Sequence, residues 1–207
     1  MQRKERGEKV TLKIPPSAVA QAGENAAKRP KSNILKIQYS QMMNPKRDQA
    51  NGLGYFGCRN PKILILGTMP GKQSRTAGEY YSNKNNCFWE MIATICEKKH
   101  QLNDMQKVQC LNKLKIGLWD VYKSCEIQGS LDKNIRKPMP NNFDEFFKKY
   151  KWIDKIVFNG KRPMREFRRI EKKCKIAQYA APSTSGSNTY LSKDKKIEEW
   201  GKYLKPQ

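Results

Sequence analysis

The chain has 207 residues, with 42 Lys or Arg, 19 Asp or Glu and a single His, and its net charge at neutral pH is +23. About +2 to +8 already keeps a small domain in solution, so this excess points to a polyanionic partner, nucleic acid before any other. No apolar run approaches the roughly 20 residues of a membrane helix, and MQRKERGEKV at the start lacks the apolar core of a secretory signal, so an intracellular protein is expected.

Residues 1–50 hold eleven Lys/Arg and four Asp/Glu, few aromatics and no sustained periodicity. They predict a basic extension, mobile until it meets a partner, ahead of one domain over 51–207. Within that domain KILILG (62–67) reads as a short buried strand. NCFWEMIATICEKK (86–99) sets Phe88, Trp89, Ile92, Ile95 and Cys96 at helical spacing, and KIGLWDVY (115–122) is a second strand. NNFDEFFKKY (141–150) is a short helix opened by capping residues, and WIDKIVFNG (152–160) a third strand. RPMREFRRIEKK (162–173) is a helix with proline near its start, KIAQYAA (175–181) a fourth strand, and SKDKKIEEWGKYL (192–204) the closing helix. Alternating strands and helices imply a parallel sheet covered on both faces, with ligands bound beyond the carboxyl ends of the strands.

Each strand is followed by a small, polar segment: GTMPG (67–71), KSCEIQGSLD (123–132), NGK (159–161) and PSTSGSN (182–188). All four are expected to converge on one edge of the sheet and to form a site. The first resembles a triphosphate loop, but it is one residue short of G-x-x-x-x-G-K-[ST] and has Gln73 where a metal-binding hydroxyl belongs. An NTPase is excluded on those grounds. The six cysteines never form C-x-x-C and read as reduced core residues, so neither a metal nor another cofactor is expected. His100 sits in the polar segment EKKHQLND and reads as solvated surface, which leaves no histidine for Ser–His–Asp or Cys–His chemistry.

Gly67 and Gly71 let the backbone turn sharply and approach a ligand. Tyr80 or Tyr81 can wall an aromatic base. Asn83, Asn85 and Asn86 are each a helix cap or a side chain that holds a water. Asp120 and Asp132 are each a general base or the cap of a loop. The Ser183–Ser185 hydroxyls suit a phosphate, or merely cap the last helix.

Taken in order, LILGTMPG, YYSNKNNCFW, GLWDVYKSCEIQGSLDKNI, VFNGK and PSTSGSN resemble the hypoxanthine-DNA glycosylase (DNA-deoxyinosine glycosylase) branch of the uracil-DNA glycosylase superfamily, over roughly residues 53–204. The resemblance implies a three-layer α/β/α sandwich around a mostly parallel four-stranded sheet. It also implies a flipped-base pocket, metal-free hydrolysis of the N-glycosidic bond, and a monomer acting on DNA. It assigns catalysis to Asn86, just before the Phe88–Trp89 pair, because Met69 and Pro70 in the first loop cannot activate water. Gly67, Thr68, Met69, Pro70 and Gly71, with Tyr81, Asn83, Phe88 and Asn159, become the base pocket. Lys72, Ser74, Ser130 and Lys161, with Ser183, Thr184, Ser185 and Asn188, become contacts to DNA. The chain departs from the family pattern at Asn83, usually His, at Lys84, usually Pro, near Ile127, and at Gly186 and Ser187. Those departures keep two alternatives open: a glycosylase for a bulkier base, such as a decorated cytosine in phage DNA, and an inactive DNA-binding module.

Overall fold

A computed structural model of the chain describes residues 48–99 and 101–204. The expectations for most of the basic extension and for His100 therefore lie outside the described residues. The main sheet has five strands. Four are the expected ones and run parallel: β3 (Ile63–Gly67), β4 (Ile116–Asp120), β7 (Lys155–Asn159) and β8 (Ala177–Ala181). The fifth, β2 (Phe56–Gly57), is a two-residue antiparallel edge on β4, too short to be recognised from its pattern. Their order across the sheet is β2-β4-β3-β7-β8. Among the described residues no helix is long and apolar enough to cross a membrane.

Strand alternation divides the apolar residues between two cores. Ile63, Ile65, Ile116, Leu118 and Val157 face one way, against α2 (Phe88–Ile95), α3 (Asp104–Lys113) and α6 (Lys193–Leu204). Leu64, Leu66, Ile156 and Phe158 face the other, against α4 (Phe143–Lys149) and α5 (Lys161–Ile170). Both faces are covered, as a parallel sheet requires. Trp200 is fully buried against Phe88, and its indole N–H donates to the Pro182 carbonyl at 2.7 Å, which fastens the last helix to the loop after β8.

Half of the segment expected as a loop at 123–132 is strand. The chain leaves β4 through Val121 and enters β5 (Tyr122–Ile127), the middle of a separate antiparallel sheet with β1 (Asp48–Asn51) and β6 (Arg136–Pro140). Tyr122, Cys125 and Ile127 turn inward and bury this sheet's inner face beside the second core. Residues 48–50 are thus part of the fold. Only the turn at 128–131 and a short 3-10 helix, Asp132–Asn134, remain of the expected loop. All six cysteines are unpaired, and five are buried.

Chain order moves outward from β3 to β4 and then crosses to β7 on the opposite side. The crevice at that switch point, beyond the carboxyl ends, is where such sheets bind ligands. α1 (Lys72–Ala77) follows β3 directly and carries the first loop's far end.

Candidate active site

The loops after β3, β4–β5, β7 and β8 meet around a cavity of about 160 Å³. That is less than the roughly 300 Å³ at which sites for drug-sized ligands begin, and suits one heterocyclic base rather than a nucleotide. Gly67 to Gly71 form one wall, fixed from behind by Arg75, whose guanidinium donates to the Pro70 carbonyl at 2.6 Å. Ser130 closes the rim: its hydroxyl accepts the Lys72 backbone N–H at 2.9 Å.

The opposite wall is the segment 80–88. Tyr81 holds a left-handed φ of 59°, an uncommon conformation for a bulky side chain, and its ring stacks on buried Phe88 with centroids 3.8 Å apart. The Trp89 indole donates to the Tyr80 carbonyl at 2.7 Å and anchors the turn. Asn83 then organises the chain up to Asn86. Its side-chain oxygen accepts the Asn85 N–H, and its carbonyl the Asn86 N–H, each at 2.8 Å. Asn86 Oδ1 accepts the Phe88 N–H at 3.0 Å, so one lone pair and the NH2 group remain for the cavity that Asn86 lines. The N-cap position of α2 is Cys87, and Asn86, one residue before it, bonds the first helical N–H and lines the site.

The third wall comes from β7 and β8. Asn159 and Thr184 form a two-bond pair, Nδ2 to Oγ1 and the Thr184 N–H to Oδ1, each 2.8 Å. That pair locks the PSTSGSN loop to the end of β7. The loop also donates and accepts locally: the Asn188 amide reaches the Ser183 carbonyl at 3.2 Å, and the Lys196 ammonium reaches the Asn188 carbonyl at 2.5 Å. Gly186 permits a backbone crossing, for a Cβ there would lie 2.6 Å from both Cβ and O of Asn85.

Two carboxyl groups face the cavity. Asp132 takes the Thr68 hydroxyl at 2.6 Å; burial raises its pKa, with the Thr68 hydrogen bond and the Arg162 charge opposing. Asp120 is buried at the end of β4 and accepts from Tyr80 Oη at 2.8 Å. Burial pushes its carboxyl up to about 7, the Tyr80 hydrogen bond pulls against that, and the Asp132 charge adds to it. Burial also raises the Tyr80 and Tyr81 phenols far above their usual range, so both stay protonated.

Known proteins carry the same pattern. The profile of the Uracil DNA glycosylase superfamily matches residues 54–205, most of the chain. The chain belongs to the uracil DNA glycosylase superfamily. A protein named hypoxanthine DNA glycosylase from Methanosarcina acetivorans is 32% identical over 140 residues, 67% of this chain and 88% of the relative. Its namesake from Methanosarcina barkeri is 31% identical over 138 residues, 66% of this chain and 87% of the relative. A solution NMR structure from Methanosarcina acetivorans, described as a candidate uracil DNA glycosylase, superposes with a TM-score of 0.66 at 28% identity, covering 76% of this chain and 97% of the other.

In this glycosylase the cavity gathers the expected Gly67, Thr68, Met69, Pro70, Gly71, Tyr81, Asn83, Asn86 and Asn159. Phe88 is corrected: it is fully buried behind Tyr81 and reaches a ligand only through that ring. Thr184, expected on DNA, is also fully buried, its hydroxyl spent on Asn159. Ser74 is buried and lines the cavity instead, its hydroxyl accepting the Ser82 N–H at 3.3 Å. Ser130, Ser183 and Ser185 line the mouth; Lys72 is exposed beside it, and Lys161 and Asn188 line an adjoining groove. Tyr80, Asp120 and Asp132 line the cavity too, although sequence left their roles open. A carboxyl at the end of a buried strand looks the same in sequence whether it caps a turn or faces a pocket.

Proposed function

We propose that this DNA glycosylase removes hypoxanthine from DNA, taking other deaminated bases such as uracil less readily. The observation that carries the reading is Asn86, held by the Phe88 N–H at the start of α2 yet presenting free polar capacity to a cavity sized for one base. The target nucleotide is turned out of the duplex, at a cost of a few kcal/mol that is smallest for a damaged or mispaired base. Its base enters against Tyr81, and the backbone amides of Gly67–Gly71 take up charge as the C1′–N bond loosens. Asn86 holds the water that adds to C1′. Ser183 and Ser185 at the rim, with Lys72 beside them, hold flanking phosphates, which fix position rather than sequence. No lysine lines the cavity among the described residues, so nothing there forms a Schiff base, and the product is a free base and an intact abasic strand. The hydrolysis needs neither metal nor cofactor, and the protein works inside the cell as a monomer. The basic residues 1–50 add non-specific affinity for DNA.

The alternative of a bulkier base drew on Asn83 in place of a ring and on Gly186 relaxing the last loop. Asn83 lines the cavity, whereas Asn85 fills the space beside Gly186, which takes away the second of these supports. The deciding experiment uses duplexes that each carry one altered base (hypoxanthine, uracil or a decorated cytosine), incubated with the protein and then treated with alkali. Hypoxanthine duplexes should be cut fastest, and only after alkali. Release confined to the decorated cytosine, or none from any duplex, refutes the proposal.

A further inference from the structure

Tyr80 Oη lies 2.8 Å from the Gly54 carbonyl oxygen and 2.8 Å from Asp120 Oδ2. A phenol has one proton, and a carbonyl only accepts. With Asp120 ionised, one of these two short contacts would set two bare oxygens against each other in a buried place, where an unmade hydrogen bond is costly. With Asp120 protonated the chain closes: the carboxyl donates to Tyr80, and Tyr80 donates to Gly54. The other oxygen, Oδ1, lies toward Gly67. A Cβ on Gly67 would sit 2.9 Å from it, and both residues line the cavity.

We propose that Asp120 enters the reaction as a neutral acid and gives its proton to the departing base. The inference rests on the hypoxanthine reading above and adds the group that lets a purine leave uncharged. A half-turn of the carboxyl about its Cβ–Cγ bond, a broad two-fold torsion, carries the protonated oxygen toward the base, while the Tyr80 proton turns from Gly54 to the bare oxygen left behind. The C1′–N9 bond breaks with its electron pair on the base, and the Asp120 proton joins a ring nitrogen. The oxygen of water bonds to C1′, and the proton it sheds passes to solvent. Asp120 recovers a proton from behind, since it also lines an open cleft of about 520 Å³ with Gly54, Tyr55, Trp119 and Asn141. The partition between cleft and cavity is thus the acid itself.

The charged and titratable groups around Asp120 agree with this role. Tyr80 and Tyr81 face it from the turn before α2, and Asp132 from across the cavity, disfavouring a second negative charge. Lys123, Glu145, Lys149, Tyr55 and Tyr150 line the cleft. A carboxyl raised to about 7 is half protonated at neutral pH, where general acids work best.

The test is single-turnover release of hypoxanthine and of uracil from matched duplexes, between about pH 5.5 and about pH 9. The parent's hypoxanthine rate should be level in acid and fall about tenfold per unit above about pH 7. Asp120→Asn should slow it by about 10²- to 10⁴-fold and flatten the profile. Melting curves supply a readout independent of activity and show that the variant folds. A raised carboxyl pKa costs stability only between its unfolded and folded values, so the parent should weaken relative to Asp120→Asn as pH rises to about 7 and keep a constant difference above that. An Asp120→Asn protein with the parent's rate and pH profile overturns the proposal while leaving the glycosylase reading intact. A parent that releases uracil but no hypoxanthine at any pH overturns the substrate reading and the proposal together.

Discussion

Gly186→Ala tests whether the last loop and the asparagine turn are set against each other. The new methyl carbon would lie 2.6 Å from Cβ and O of Asn85, where carbon neighbours rest at about 3.5 Å or more. One side must yield by about 1 Å. The loop is held by the Asn159–Thr184 pair, by Lys196 on the Asn188 carbonyl and by the Thr184 carbonyl on the Cys87 N–H. The displacement therefore falls on Asn85 and on Asn86 beside it. Overpacking of this kind costs about 1–3 kcal/mol of stability, and a 1 Å misplacement of a catalytic group costs about a hundredfold in rate. Single-turnover base release and filter binding to the same duplex separate the two effects. The expected result is a rate loss near a hundredfold with affinity within about threefold of the parent, while Ser187→Ala, one residue along and exposed, changes neither. A Gly186→Ala protein with parental rate would show that the loop gives way instead, and that Asn86 is not held by it.

Asn86→Ala should lower the single-turnover rate by about 10²- to 10³-fold, as loss of other positioned polar groups does, and cost about 1 kcal/mol through the lost contact to the Phe88 N–H. Asn86→Ser, which restores a short acceptor, should recover the stability but not the rate; recovery of both would make the residue a cap alone. Deleting residues 1–44, which hold nine Lys/Arg and three Asp/Glu, should flatten the plot of log affinity against log salt and spare the rate at saturating protein. An unchanged salt slope would mean that this basic segment touches no phosphate.

The parallel strands were legible because each is a compact apolar run between polar turns; Ile63 to Leu66 are all buried, as continuous Ile/Leu runs in such sheets are. Most of the cavity was legible for the same reason, since strand ends converge wherever strands run parallel. The antiparallel sheet was not. Tyr122, Cys125 and Ile127 are separated by Lys123, Ser124 and Glu126, and a β-bulge breaks the register between β5 and β6, so alternation is imperfect. α3 was passed over because it is polar over most of its length, yet its start carries a capping box, Asn103 with Gln106, visible as N-x-x-Q. Thr184 could not be told from its serine neighbours, since only its pairing with Asn159, 25 residues away, withdraws it from the surface.

Register sets Gly67 directly opposite Asp120 in the β3–β4 ladder, and the space a Cβ would need at 67 is taken by the carboxyl at 120. The two positions are therefore bound together in descent as well as in space. A lineage that first replaces Asp120 with a smaller residue frees position 67 to gain a side chain. One that first replaces Gly67 passes through a crowded, misdirected carboxyl and a weakened fold. Of the two orders of substitution only the first is open, so a side chain at 67 should be found only in glycosylases of this superfamily that have already given up the carboxyl at 120.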